Sequence, residues 1–234
     1  GGKMLGRVEY LPVEWHSRFK SKLSRNDSEE NGDSSNRRKL SIWDITLTRA
    51  AALRAYTNDT VLDILYFMSP EYHQIIVQEV AEEINRVVGL FIQNTPSFSG
   101  KISIAAHSLG AIICFDILAN QNRQNSSPKV DLNRRGSPLA YYKGSTEYLE
   151  LKCPVENLFC LGSPIGMFLM IRGQHNSIGK DFKLPGAKRL FNVFHPFDPV
   201  AFRLEPLVCE MEKLREPEIL PTWQGGLRVQ YQVK

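Results

Sequence analysis

Ser108 is the residue of this sequence with the clearest potential for covalent chemistry. It lies in Ala106-His107-Ser108-Leu109-Gly110, a small-x-Ser-x-Gly pattern. In a nucleophile elbow of this pattern, the serine occupies a strained turn between a strand and a helix, and its hydroxyl can attack an acyl carbon. The alternative is a serine that only marks the point where a strand turns into a helix.

The neighbours of Ser108 have defined parts in the nucleophile hypothesis. The backbone amide of Leu109 would stabilise the developing oxyanion, and the positive end of the helix dipole would add to that effect. Small residues two positions before and after the serine would let the strand and the helix approach closely. Gly110 keeps the glycine of the pattern, whereas Ala106 replaces the first glycine and adds one methyl group.

The segments on either side of Ser108 match what the elbow requires. The preceding "ISIAA" (102–106) is typical of a buried strand, and the following "AIICFDILAN" (111–120) is typical of a buried helix. Because the pattern alone is only moderately specific, this context is what favours a nucleophile over a structural serine.

An acid is expected after a later strand, and Asp198 is the candidate. It follows the apolar run that ends at Phe194, in a loop that Pro196 and Pro199 stiffen. A carboxylate there could orient a histidine and stabilise its imidazolium. The alternative is an ordinary turn residue, since Asp and Pro are common in turns. Its position two strands after the elbow favours the catalytic interpretation.

The general base is the missing part of this constellation. In this arrangement the chain order is Ser, acid and then His, but none of the five histidines follows Asp198. We therefore expect the catalytic histidine to lie beyond Lys234. His107 is predicted to be a packing or supporting residue, and the other four are predicted to serve their own loops or the surface: His195, His175, His16 and His73.

The surrounding pattern predicts an α/β domain with a mostly parallel sheet. The clearest helix covers 71–93, with one apolar face and a charged remainder that includes Glu79, Glu82, Glu83 and Arg86. Further helices are predicted at 44–56 and after Thr57, up to Pro70. Strands are predicted at 7–15 and 227–233. Two further segments, 155–166 and 188–207, are each predicted to be a strand that leaves into a loop.

Two polar segments, 20–41 and 121–148, interrupt the pattern and are predicted to be flexible insertions in one domain that covers 1–234. The net charge is only +4 and the basic residues are dispersed, which argues against a nucleic-acid partner. The four cysteines have neither metal-ligand nor disulfide-framework spacing, which favours a reducing compartment. No apolar run reaches the roughly 20 residues of a membrane span, so any membrane contact is expected to be peripheral.

Five segments resemble one known family, the intracellular phospholipases A1 that carry a DDHD domain. These segments are "RVEYLPVEWHS", "YTNDTVLDILYFMSPEY", "ISIAAHSLGAIICFDIL", "FCLGSPIGMFLMIRG" and "FNVFHPFDPVAFRLEPL". The last of them is distinctive of that domain. The resemblance covers nearly the whole chain apart from the polar insertions.

The resemblance implies an α/β-hydrolase-like, mostly parallel sheet with helices on both faces, incomplete at both ends, in which 150–234 begin the DDHD-type region. It implies a serine acyl hydrolase that cleaves glycerophospholipids (phospholipase A1 type) or neutral glycerides at cytosolic membrane surfaces of the ER and Golgi. Partners would be the phospholipid surface and coat or trafficking proteins. Ser108 would be the nucleophile and Asp198 the first aspartate of the four residues that name the domain.

No cofactor is predicted. The resemblance also brings a suggestion of metal binding by those four residues, but one Asp provides no ligand set, so no metal site is predicted here. An HGxG-type motif would precede residue 7, and a further Asp and a His would follow Lys234, which leaves two acids to orient the base. Little turnover is expected from these 234 residues alone.

Two alternatives to this function stay open. One is a catalytically silent trafficking scaffold that keeps the lipase fold, which the missing histidine and Ala106 favour. The other is a carboxylesterase that acts on small soluble substrates.

Overall fold

Helices and strands alternate along the part of the chain that the computed structural model describes, residues 7–19, 21, 63–121, 147–179 and 182–220. In chain order the main elements are α1 (Pro70–Asn94), β1 (Ile102–His107), α2 (Leu109–Ala119), β2 (Val155–Leu161), α3 (Ile165–Ile171), β3 (Ala187–Val193) and α4 (Glu205–Val208). Short 3-10 helices cover Gln174–Ser177 and Met211–Lys213, and further short helical segments cover 16–19 and 63–68.

The three strands form one parallel sheet in the order β1-β2-β3. Along the first pair Ala106 lies beside Cys160 and His107 beside Leu161, and Leu161 lies in turn beside Val193 of β3. The carboxyl ends of the strands therefore meet at one edge of the sheet. This architecture confirms the predicted α/β class.

Helix α1 begins where the predicted helical pattern does. Ser69 has an extended backbone and Pro70 occupies the first helical positions, where its missing N–H costs nothing. The apolar face of α1 is buried through Ile76, Val80 and Ile84. Pro70 therefore starts this helix, and the prediction of a helix over 71–93 is confirmed.

Helix α2 is the centre of the packed core. Every residue from Ala111 to Leu118 is buried, because α2 contacts α1, α3, β1 and β2. A helix that is apolar all round is typical of such a central position. The helix that carries Ser108 at its start is thus the most enclosed element of the described chain.

The two faces of the sheet differ. Ala106, Leu158 and Cys160 lie on one face of the sheet and all three are buried, and α2 packs against β1 and β2. On the other face Phe159 and Phe191 stack at 4.9 Å with nearly parallel rings, and Phe191 is 40% exposed. The enclosed half of the core thus lies between the sheet and the helices.

Two glutamates that the pattern places off the apolar face of α1 are enclosed by the fold. Glu79 and Glu83 are buried. Arg86 donates to Glu83 at 2.6 and 2.7 Å, and Arg18 reaches it at 3.2 Å. The hydrogen bonds from Arg86 hold the pKa of Glu83 below its ordinary value. Burial at Glu83 is possible because its charge is paired.

The other predicted elements have mixed outcomes. The strand predicted at 7–15 does not form, since these residues join none of the strands in the described sheet and the chain turns helical at 16–19. The strand-then-loop predictions for 155–166 and 188–207 are confirmed by β2 and β3, which begin these segments. The helix at 44–56 and the strand at 227–233 lie outside the described residues, as does nearly all of 20–41 and 121–148.

The described helices are all too short or too polar to cross a bilayer. None of them combines the length and the apolar character that a membrane span needs.

Candidate active site

Ser108 occupies a strained turn at the carboxyl end of β1. Its φ of 50° is the only positive value of a non-glycine residue in the described part of the chain, and its ψ is −122°. The Ser108 N–H donates to the carbonyl of Leu161 at 2.9 Å, and the Ser108 carbonyl accepts from Ala111 N–H at 3.1 Å. Such conformations persist only where the surroundings impose them, and they cluster at functional sites.

The start of α2 supplies the backbone donors that the elbow hypothesis requires. Leu109 is the first residue of the helix and its side chain is buried. The first N–H groups of a helix have no partner within it, and the helix dipole places partial positive charge there. The Leu109 amide is therefore suited to a developing negative charge beside Ser108.

The two small residues of the elbow differ in their surroundings. Ala106 is buried and lies beside Cys160 in the sheet, so its single methyl group is accommodated there. At Gly110 an added Cβ would meet no atom within 4 Å outside its own helical turn. Close approach of strand and helix thus does not explain the glycine at 110.

Asp198 lies in the loop that follows β3. Its backbone N–H donates to the carbonyl of His195 at 3.0 Å, and its Oδ1 accepts from Val200 N–H at 2.9 Å. This is the side-chain-to-backbone turn expected of an Asp in a Pro-rich loop. Oδ1 of Asp198 therefore has the role of an ordinary turn residue. Oδ2 does not take part in this turn.

The second carboxylate oxygen lies over the end of β2. Asp198 Oδ2 is 2.7 Å from the position that a Cβ on Gly162 would occupy. Gly162 directly follows Leu161, whose carbonyl accepts the Ser108 N–H. Since neighbouring strands are about 4.8 Å apart, Ser108 and Asp198 are brought to adjoining positions at one edge of the sheet.

His107 lies at the same edge, and this corrects its predicted packing role. The His107 side chain is exposed, and its Nε2 is 3.7 Å from that same Cβ position on Gly162. The His107 ring and the Asp198 carboxylate therefore border one small region above Gly162. The pairing of β1 with β2 puts His107 there, because it lies beside Leu161 in the register.

The remaining histidines have other roles. His195 accepts Phe197 N–H through Nδ1 at 3.2 Å, which confirms that it stabilises its own loop. His16 contacts Asp63 at 3.1 Å, and His175 lies in the 3-10 helix after α3. His73 was predicted at the surface, but it is completely buried because α1 turns it toward α2.

His73 belongs to a buried polar cluster that the sequence pattern did not predict, formed with Asp116, Tyr148 and Arg172. Arg172 Nη1 donates to both carboxylate oxygens of Asp116, at 3.0 and 2.9 Å. His73 Nε2 lies 3.0 Å from the Tyr148 hydroxyl and 3.9 Å from Asp116 Oδ2. One signal in the sequence could have revealed the cluster: Asp116 is an acid within an otherwise apolar helix.

Burial shapes the protonation of this cluster. Burial, with the Arg172 charge adding to it, lowers the pKa of His73 to about 3, so this histidine is neutral at pH 7. Burial also raises the pKa of Asp116, and Arg172 offsets part of that rise. The cluster connects α1, α2 and the end of α3 inside the core, and it is a structural element apart from the Ser108 edge.

Burial makes two of the four cysteines poor nucleophiles. The four cysteines are free, and burial raises the pKa of Cys114 and Cys160 to about 12, which keeps both as unreactive thiols. Among the described residues no group of three or more His, Cys, Asp or Glu side chains is arranged to hold a metal ion.

Comparison with known proteins gives concordant matches. Residues 151–234 match the DDHD domain. The chain is 31% identical to the triacylglycerol hydrolase DDHD2 of Mus musculus over 99% of its length and 44% of that protein. It is 32% identical to an intracellular phospholipase A1 of Caenorhabditis elegans, over 97% of this chain and 29% of that protein. It is 35% identical to the phospholipase DDHD1 of Homo sapiens, over 87% of this chain and 25% of that protein.

The chain spans less than half the length of these relatives. No solved structure matches it. The resemblance inferred from the quoted segments is confirmed by the domain match and by the relatives. The chain belongs to the family of DDHD-domain proteins that includes the intracellular phospholipase A1 of Caenorhabditis elegans.

Proposed function

We propose that this chain carries the nucleophile of a serine hydrolase that cleaves an acyl ester of glycerophospholipids or neutral glycerides. One observation carries the proposal: Ser108 is held in a strained turn between β1 and α2, with the Asp198 carboxylate above the end of the adjoining strand. The names of the relatives, a triacylglycerol hydrolase and phospholipases, support a lipid ester as the substrate.

The proposed reaction has two halves. Ser108 Oγ attacks the acyl carbon while a base takes the hydroxyl proton, and the Leu109 N–H binds the oxyanion. Collapse of the tetrahedral intermediate breaks the ester bond, and the protonated base gives its proton to the departing alcohol. Water then repeats the sequence on the acyl-enzyme, which releases the fatty acid and restores Ser108.

Asp198 is proposed to orient the base and to stabilise its protonated form. We assign the base to a histidine outside residues 1–234, because no histidine follows Asp198 in this sequence. His107 directly precedes the nucleophile and is the alternative within the chain, since its ring borders the same region above Gly162. Turnover by residues 1–234 alone would favour His107.

Exposed apolar side chains near Asp198 support action at a lipid surface. Phe197, next to Asp198, is 74% exposed. Phe202, Val200, Leu161 and Phe191 are also exposed large apolar residues near this edge. Clusters of this kind favour contact with apolar partners. Peripheral association with cytosolic ER and Golgi membranes is part of the proposal, and fractionation of cells that express the protein would test it.

The nucleophile is tested with a fluorophosphonate probe and with phospholipid vesicles. Labelling and hydrolysis by the protein should both disappear in Ser108→Ala, because the probe and the substrate need the same hydroxyl. Hydrolysis should be faster on vesicles than on a short-chain soluble ester at equal concentration. Labelling that survives Ser108→Ala would refute the assignment, and equal rates on both substrates would favour a soluble carboxylesterase.

The silent scaffold remains the competing function for this family member. Vesicle hydrolysis by the protein, abolished by Ser108→Ala, would exclude it. An unlabelled protein with an intact fold would support it.

A further inference from the structure

The turn that leaves β2 brings a glycine and a carboxylate into unusually close contact. Gly162 has a φ of +55°, and a Cβ added to it would lie 2.7 Å from Asp198 Oδ2. This distance is well inside the normal separation of about 3.5 Å between nonbonded atoms. Asp198 Oδ2 thus occupies the space that any side chain at residue 162 would need.

The Asp198 carboxylate has little freedom to move away from this position. Its Oδ1 is bound by Val200 N–H at 2.9 Å, and its backbone N–H is bound to the His195 carbonyl at 3.0 Å. An aspartate has only two side-chain torsions, so these two bonds determine where Oδ2 lies. A Cβ at 162 would therefore have to turn the carboxylate out of this position and break its hydrogen bond from Val200 N–H.

The chain after Asp198 also packs on residues 162–166, the segment that leads from β2 into the first residues of α3. Phe202 N–H donates to the Ser163 carbonyl at 3.2 Å. A Cβ on Gly166 would lie 3.0 Å from the Arg203 carbonyl and 3.1 Å from Phe202 Cβ. The Asp198 side chain and the chain that follows it are thus both set against one short segment.

We propose that Gly162 is a positioning residue for Asp198, because its missing side chain lets the carboxylate lie over the end of β2 beside His107 and the Ser108 turn. The catalytic consequence of this placement rests on the proposed function. The placement itself does not, and the two are tested separately.

The chain contains a matched control for the substitution Gly162→Ala. Gly173 has a φ of +67°, and a Cβ on it would meet nothing within 4 Å. Gly162→Ala and Gly173→Ala therefore impose similar left-handed backbone strain, but only the first creates a contact with Asp198. Gly162→Ala should lower the urea midpoint of unfolding more than Gly173→Ala does.

The larger midpoint loss in Gly162→Ala should depend on the Asp198 carboxylate. In an Asp198→Ala background the two alanine substitutions should shift the midpoint equally, because the clash partner is gone. The amide NMR resonance of Val200, which reports the Asp198 Oδ1 bond, should shift in Gly162→Ala and stay in place in Gly173→Ala. Equal midpoint shifts in the parent background together with an unmoved Val200 resonance would overturn the proposal.

The catalytic consequence is measured on phospholipid vesicles with the same variants. Gly162→Ala should lower kcat at least tenfold and leave KM within twofold, since it displaces the acid and not the lipid-contacting surface. Gly173→Ala should keep kcat within twofold. Because the base is assigned to a histidine outside residues 1–234, these activities are measured on the full-length protein. A full-length wild-type protein without turnover would refute the proposed function, while the midpoint and NMR results would still decide the positioning of Asp198.

Discussion

Ser108 combines a reactive side chain with an unfavourable backbone. Its φ of 50° lies where an L-residue with a Cβ costs roughly 1–3 kcal/mol. Two backbone hydrogen bonds, to Leu161 and from Ala111, hold it there. The free energy of packing α2 against the sheet thus maintains a conformation that serine itself disfavours.

This strain predicts an order of stability among variants that all lack the hydroxyl. Ser108→Gly should be more stable than Ser108→Ala by about 1 kcal/mol, because glycine adopts positive φ without a Cβ penalty. Urea unfolding of both variants measures the difference. The same exchange in an ordinary strand position, Ala106→Gly, should instead lower stability by about 0.5–1 kcal/mol. A glycine variant at 108 that is less stable than the alanine variant would contradict the strain.

The helices are connected by an ion pair inside the core as well as by apolar packing. Arg172 at the end of α3 is 2% exposed at its side chain and binds Asp116 of α2. Its guanidinium also lies over the rings of Phe67 and Phe168, at 5.4 and 5.3 Å. Buried charges are tolerated only when they are paired in this way. Either charge alone would destabilise the folded protein.

Removal of one partner should therefore cost far more than removal of both. Arg172→Met should lower the free energy of unfolding by about 3–5 kcal/mol, because Asp116 is left buried without its cation. Asp116→Leu combined with Arg172→Met should recover most of that loss. Chemical unfolding measures both losses. Lys213 forms an exposed ion pair with Glu210, so Lys213→Met serves as the control and is expected to stay within about 0.5 kcal/mol of the parent. An equal loss in the single and the double variant would contradict the account.

The protein as a unit should also respond to pH through His73. Burial lowers the pKa of His73 to about 3 in the folded state, against 6.5 in the unfolded chain. The unfolded state therefore takes up a proton below pH 6.5 that the folded state does not, and stability is lost as the pH falls from about 6.5 toward 3.

The expected loss from this group between pH 7.5 and 5.5 is about 1.4 kcal/mol. Between these two pH values, the free energy of unfolding of His73→Gln should fall by about that much less than the wild-type value, whatever the stability of the variant at pH 7.5. Burial of Asp116 acts in the opposite direction, and this carboxyl is present in both proteins. Urea unfolding of both at the two pH values provides the test, and equal pH dependence would show that His73 can be protonated in the folded protein.

The amino-acid pattern by itself predicts the elements that depend on local contacts. The apolar periodicity of α1, the strand-turn-helix at Ser108 and the loop that carries Asp198 are all visible along the chain, because 3.6-residue and two-residue periods are local properties. The distinctive segments around Ser108 and Asp198 also indicate the family correctly. These features require no knowledge of which segments become neighbours.

Burial and proximity between distant segments are decided only by the folded structure. Glu79, Glu83 and His73 look like surface residues in sequence, yet all three are buried in the folded chain. Glu83 is paired there with Arg86 and with Arg18 of the N-terminal segment. The parallel register of β1, β2 and β3 brings His107 close to Asp198. It also places Gly162 below these two side chains. Sheet register joins residues that are tens of positions apart, and no local period of the sequence encodes which side chains will meet there.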